Sequence, residues 1–116
     1  MVRGEVWWAS LRMPSGSRKR RPMLIVSNDA FNRNERYTKV VVVHLTSVAR
    51  LGGPFDWEVA VKKNTAGLDK ASVVKCAEVY TLLKEQLGEK VGTLPGELMR
   101  QVDEALALSL GLPSAE

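Results

Sequence analysis

Apolar positions in this chain fall in short runs separated by turn-forming residues, a pattern that predicts a small β protein closed by one helix. Glu5-Val6-Trp7-Trp8-Ala9-Ser10-Leu11 is rich in residues that suit a pleated surface and predicts a first strand. Gly4 bounds it on one side. On the other, Met13-Pro14-Ser15-Gly16-Ser17 predicts a flexible loop that ends in four cations, Arg18-Lys19-Arg20-Arg21. After Pro22, Met23 to Val26 is apolar throughout, which predicts a strand buried on both faces. Ser27-Asn28-Asp29 offers helix-cap chemistry, and Ala30-Phe31-Asn32 one helical turn. Lys39 to Thr46 is β-branched almost throughout and predicts a third strand.

Leu51-Gly52-Gly53-Pro54 reads as a turn, Trp57 to Val61 as a fourth strand, and Asn64-Thr65-Ala66-Gly67 as a second turn. Ser72 to Tyr80 then predicts a long fifth strand, Leu82 to Leu87 a short helical turn and Lys90 to Leu94 a short closing strand. The last segment changes period. Leu98, Val102, Ala105, Leu106 and Ser109 recur at three- and four-residue intervals, a stripe that predicts a helix starting at Pro95 and stopped by Gly111 and Pro113. Short strands, short turns and one terminal helix point to a mainly β, α+β architecture: a partly open barrel with a helix packed on it.

Composition adds little to that picture and removes several classes. The 116 residues suit one domain spanning 1–116, with 45% hydrophobic and 26% charged residues, as in ordinary globular chains. No apolar stretch approaches the ~20 residues that cross a bilayer, and the N-terminus lacks a secretory h-region, so a cytoplasmic protein without a membrane partner is expected. The lone Cys76 excludes an intrachain disulfide and, between apolar neighbours, reads as a small core residue. Charge is more telling. Residues 1–50 carry ten Lys or Arg against three Asp or Glu, whereas residues 51–116 carry seven against ten, so the N-terminal half is the candidate anion-binding face.

Among candidate chemistries, a metal site is disfavoured by one His and one Cys without ligand-like spacing, and no phosphate-binding glycine loop occurs. Neither metal nor cofactor is expected. RNA cleavage needs neither, because the substrate's own 2′-hydroxyl can attack the neighbouring phosphate. The protein must help remove that proton, neutralise the non-bridging oxygens and assist the departing 5′-oxygen. A planar guanidinium suits the second task, and Arg21 is the best placed of the run because Pro22 and a buried strand hold its backbone. Its role is electrostatic, since a guanidinium holds its proton too tightly to act as an acid. Lys19 and Arg20 are candidates for tracking the phosphate chain, and Arg18 for a solvated charge that adds attraction only.

Thr46, on the strand face of His44 and Val42, can donate to a phosphate oxygen or accept from the 2′-hydroxyl; the competing reading is a strand-ending Thr bonded to local backbone. Ser47 beside it is a candidate RNA contact. His44 has the intrinsic pKa, ~6.5, for acid–base work, against the reading of a buried core or interface histidine. Lys75 and Ala77 fall on one face of the fifth strand, Cys76 and Glu78 on the other; Lys75 and Glu78 either line the groove or are surface charges. Trp7, Trp8 and Trp57 either stack on bases or pack the core, with one of the adjacent pair inward and one outward.

Arg3-Gly4-Glu5-Val6-Trp7-Trp8, then Arg21-Pro22-Met23-Leu24-Ile25-Val26-Ser27-Asn28-Asp29, then Leu45-Thr46-Ser47 resemble three blocks of the MazF/PemK family of toxin endoribonucleases. Gly67 to Val74 and Val102 to Leu112 also look like that family, in order and at compatible spacing. The resemblance implies an SH3-like, CcdB/PemK-like barrel that works as a homodimer and cuts single-stranded RNA at short sequences without metal. Arg21 and Thr46 take the positions of the family's catalytic arginine and threonine. It also implies neutralisation by a cognate antitoxin whose acidic C-terminal tail fills the RNA groove. The first loop departs from the family in reading Gly16-Ser17-Arg18. Glu78 and Tyr80 stand where Gln and Arg are frequent, which makes Glu78 or His44 the candidate acid or base here. Two rivals remain: a CcdB-like gyrase poison on the same barrel, and a non-catalytic nucleic-acid-binding barrel.

Overall fold

The computed structural model describes residues 1–47 and 53–113. Six strands, β1 (Glu5–Arg12), β2 (Arg18–Ile25), β3 (Lys39–Ser47), β4 (Glu58–Val61), β5 (Ser72–Leu83) and β6 (Leu87–Thr93), form one antiparallel sheet. Their order is β4-β5-β3-β2-β1-β6. A single turn, α1 (Asp29–Asn32), follows β2, a 3₁₀ turn (Lys84–Gln86) joins β5 to β6, and α2 (Gly96–Leu110) is the last element. The expected turn at Leu51 and Gly52 lies outside the described residues.

Continuous apolar runs form because alternate residues of the central strands feed two cores. Leu24, Val43 and Leu45 pack with Val6, Val59, Val74 and the Val102 and Ala105 stripe of α2. Met23, Ile25, Val40 and Val42 pack on the opposite side with Ala9, Leu82 and Leu87. Burying each of these side chains contributes roughly 1.5–3 kcal/mol, so the sheet is held on both faces where β2 and β3 run together. Val102 is fully buried, and Leu98, Met99 and Leu106 flank it as the helical stripe predicts. Pro95 caps α2 rather than opening it, and Gly111 ends it at φ 68° while the Leu112 amide donates to Ala107 O at 2.8 Å.

The sheet does not close by strand pairing, because β4 and β6 are its two edges. Backbone contact bridges them. A Cβ at Gly67 would stand 2.1 Å from the Val91 carbonyl oxygen, and one at Gly92 would stand 2.3 Å from that of Ala66. Only glycines let the turn after β4 lie flat against β6, which makes the sheet the partly open barrel expected.

Three boundaries differ from expectation. The cations Arg18–Arg21 lie in β2, paired with Arg12 to Ala9 of β1, because hairpin pairing satisfies their backbone while their side chains project outward. β5 continues to Leu83, since Lys39 to Val42 give it partners there and Leu82 reaches the second core. β6 begins at Leu87, which is buried in the same core, and so shortens the expected helical turn to three residues.

Candidate active site

Strand pairing opens the site. β2 meets β3 only at Met23↔His44, Leu24↔Val43 and Ile25↔Val42, whereas β3 continues to Ser47 against β5. Beyond Met23 and His44 the two strands therefore part. The gap is a cavity of about 460 Å³ with Arg20, Arg21 and Pro22 of β2 on one wall and Leu45, Thr46 and Ser47 of β3 on the other. Trp8, and Asp69, Lys70 and Ser72 from the turn into β5, complete it. Arg21 and Thr46, 25 positions apart in sequence, thus line one cleft.

Behind Arg21 stands a chain of charged groups. Its Nη1 lies 3.5 Å from His44 Nε2, and His44 Nδ1 lies 3.6 Å from Glu78 Oε1. Glu78 Oε2 is 4.0 Å from Lys75 Nζ, which donates to Glu58 Oε2 at 2.7 Å. The Glu58 side chain is only 3% exposed, so Lys75 supplies a counter-charge to a buried carboxylate. Burial pushes the His44 pKa below the ordinary histidine value; Arg21 and Lys75 push the same way and Glu78 opposes them. The ring is therefore neutral at pH 7. A guanidinium can only donate, so Nε2 accepts from Arg21 and Nδ1 carries the proton, aimed at Glu78 just beyond hydrogen-bond reach.

A bulge builds this chain. In the β3–β5 ladder the register jumps from Val43↔Val79 to His44↔Lys75, leaving Cys76, Ala77 and Glu78 without partners on β3. Strict alternation puts Lys75 and Glu78 on opposite faces; the bulge brings both carboxylate and ammonium to the His44 side, which corrects that expectation. β3 itself keeps its alternation, with Val40 and Val42 in one core and Val43 and Leu45 in the other.

Of the other candidates, Arg20 lines the cleft with its Cζ 5.1 Å over the Trp8 ring, and Ser47 lines the opposite wall. Lys19 is exposed on β2 opposite Leu11, outside the cleft lining. Lys75 is engaged by Glu58. Trp8 faces the cleft, whereas Trp7 packs beside the second core and donates its Nε1–H to Glu5 Oε1 at 3.1 Å. Trp57 stacks on Phe55 with ring centroids 4.6 Å apart. Cys76 is fully buried, and burial pushes its thiol up to about 11, as suits an inert core residue. Sequence reasoning missed Glu58 and the cleft-lining Asp69 and Lys70. A glutamate alternating with buried valines in Glu58-Val59-Ala60-Val61 was the available signal for the first. Among the described residues no three His, Cys, Asp or Glu side chains gather as a metal site.

An open antiparallel sheet with a terminal helix and a basic cleft between splayed strands defines a class of small β proteins suited to gripping an anionic polymer. A family model of PemK-like, MazF-like toxins of type II toxin–antitoxin systems matches residues 2–110, and the chain belongs to that family. Endoribonuclease MazF2 of Mycobacterium bovis and endoribonuclease MazF6 of Mycobacterium tuberculosis are each 36% identical to it over 112 residues, covering 95% of this chain and 96% of theirs. A solved mycobacterial endoribonuclease in complex with its cognate antitoxin superposes with a TM-score of 0.81 at 32% identity, covering 98% of both chains. A MazE–MazF structure from Deinococcus radiodurans, 22% identical with a TM-score of 0.75 over 97% of both chains, shares the fold.

Proposed function

We infer that this chain is the toxin of a type II toxin–antitoxin pair and acts as an endoribonuclease on single-stranded RNA. The observation that supports the reading is the parting of β2 from β3, beyond which Arg21 and Thr46 both line one open cleft. The relatives are named endoribonucleases, and neither the gyrase poison nor the non-catalytic barrel finds support among them.

The mechanism follows from the groups present. The scissile phosphate enters between Arg21 and Thr46. The 2′-oxygen bonds to phosphorus as its proton leaves, the bond from phosphorus to the 5′-oxygen breaks, and that oxygen takes up a proton from water. The products are a 2′,3′-cyclic phosphate and a 5′-hydroxyl. Arg21 neutralises the charge that builds on the non-bridging oxygens, and Thr46 donates to one of them. Once Arg21 turns to the phosphate, the Nε2 lone pair of neutral His44 is freed to accept the 2′-hydroxyl proton, and Glu78 stabilises the imidazolium formed. Lys75, held by Glu58, positions Glu78.

The same cleft suits the acidic C-terminal tail of a cognate antitoxin, which would block RNA by occupying its phosphate contacts. We further propose a cytoplasmic homodimer, for which the exposed Val79, Tyr80 and Leu83 of β5 offer an apolar surface. Incubating the protein with a defined transcript in excess EDTA tests the enzyme. Discrete cuts ending in cyclic phosphate and 5′-hydroxyl are expected from wild type and absent from Arg21→Ala. Shifted mobility without cuts would overturn the reading.

A further inference from the structure

Trp8 belongs to two cavities. The first is the cleft; the second, of about 590 Å³, extends from the same ring along the hairpin of β1 and β2. Its walls are Arg12, Arg18 and Arg20, with Glu85 of the 3₁₀ turn facing them. Register explains the grouping: Trp8↔Pro22, Ser10↔Arg20 and Arg12↔Arg18 are cross-strand partners, and residues two apart share a face. The four-cation run is thereby divided. Arg21 points to the His44 side, while Arg18 and Arg20 point to the Trp8 side.

Among the described residues, Arg12, Arg18 and Arg20 have no carboxylate within ion-pair distance. Three like charges around one trough repel one another unless an anion joins them. Arg18 and Arg20 stand about 6.6–6.8 Å apart along β2, close to the step between successive phosphates of an extended single strand, and Arg12 lies across from Arg18 as its cross-strand partner. Trp8, partly exposed beneath the Arg20 guanidinium, supplies a flat face for a base.

We propose that this trough is a nucleotide subsite continuous with the cleft, which seats a base on Trp8 and Arg20 and a neighbouring phosphate between Arg12 and Arg18. The proposal rests on the ribonuclease reading and extends it to nucleotides beyond the scissile step. Charge and aromatic stacking together favour RNA over an acidic peptide, which has no use for the ring. Glu85 adds a preference: its carboxylate accepts from an exocyclic amino group, as on cytosine, and repels the carbonyl that uracil presents in its place.

The test uses the intact chain and short fluorescent 2′-O-methyl RNA, which binds but lacks the attacking hydroxyl. Arg12→Ala with Arg18→Ala should weaken binding about tenfold at low salt, and flatten log K against log salt by about 0.7 for each phosphate that the variant no longer neutralises. Arg12→Lys with Arg18→Lys should keep the wild-type slope, which separates charge from damage to the hairpin. Wild type should bind oligo(C) more tightly than oligo(U), and Glu85→Gln should shrink that ratio severalfold. Unchanged affinity and slope in the alanine pair overturn the subsite, as does a loss confined to polyglutamate binding, which would make the trough a seat for an acidic peptide. Cleavage of unmodified RNA by wild type in EDTA keeps the two readings apart: cutting with an unaltered salt slope sinks the trough alone, whereas binding without cutting sinks the nuclease.

Discussion

The two halves of β2 share one backbone and one neighbouring strand, yet they do opposite work. From Met23 to Ile25 every side chain is buried, and the strand is paired with β1 on one side and β3 on the other. From Arg18 to Arg21 it keeps β1 but loses β3, and its side chains turn to solvent or to the cleft. One half holds the sheet together and the other holds out charge. The half without β3 is a direct extension of the half with it, so Arg21 stays on a strand paired with β1. A guanidinium on a paired strand loses less freedom on gripping a phosphate than one on a loop.

One substitution in each half separates these roles most strongly. Arg21→Ala should lower single-turnover cleavage by about 10²–10³, the usual cost of removing one donor to a developing oxyanion, with the thermal midpoint little changed. Arg21→Lys should recover only part of the rate, because an ammonium lacks the two-pronged geometry. Leu24→Ala should do the reverse. It should cost about 2–5 kcal/mol in urea unfolding and leave cleavage per folded molecule near wild type. If Arg21→Ala unfolded the protein, or Leu24→Ala abolished cleavage in the folded protein, the division of labour along β2 would fail.

Next in size comes the support behind the cleft. Lys75→Met takes one ammonium away from the buried Glu58 carboxylate and should lower stability in urea unfolding by about 1–3 kcal/mol, the cost of weakening the partnership of a buried polar group. It should also lower cleavage by a few-fold through Glu78, which loses the charge that fixes it. Thr46→Val should reduce cleavage about tenfold, in keeping with one hydrogen bond to a charged phosphate oxygen worth about 1.5 kcal/mol, and Thr46→Ser should restore it. Rescue by serine separates a hydroxyl acting on RNA from a strand-end packing role.

Much of this is legible in the chain. Two apolar runs, one opened by Pro22 and the other ended by Thr46 and Ser47, predict the strands and place their polar ends, and the family blocks mark Arg21 and Thr46. Less visible is where β2 and β3 part, since that depends on a pairing between positions some twenty residues apart. Nor does period-2 reasoning foresee a bulge. Cys76, Ala77 and Glu78 obey it locally, and only the β3 partner reveals the three-residue slip that carries Glu78 to His44. The cationic run reads as the end of the loop opened by Met13 to Ser17; what decides instead is its pairing with β1, residue by residue from Arg12 to Ala9.

The smallest expected effect is a dependence on pH, and it tests the chain behind Arg21 most directly. Burial, with Arg21 of β2 and Lys75 of β5, holds the His44 pKa below its ordinary value against the pull of Glu78 of β5. The unfolded chain therefore binds this proton more readily than the folded one. His44 costs nothing above its unfolded pKa of ~6.5, and stability falls as pH drops below that value toward the lowered folded pKa. Unfolding midpoints measured from pH 7.5 downward should decline less steeply in His44→Gln than in wild type. Cleavage, if His44 takes the 2′-hydroxyl proton, should be flat near pH 7, fall on the acid side of that same window, and lose this limb in the variant. A wild-type profile with no acid limb in the folded protein would leave His44 as the rest on which Arg21 is aligned and pass the base to Glu78, whose own alanine variant would then carry the larger loss.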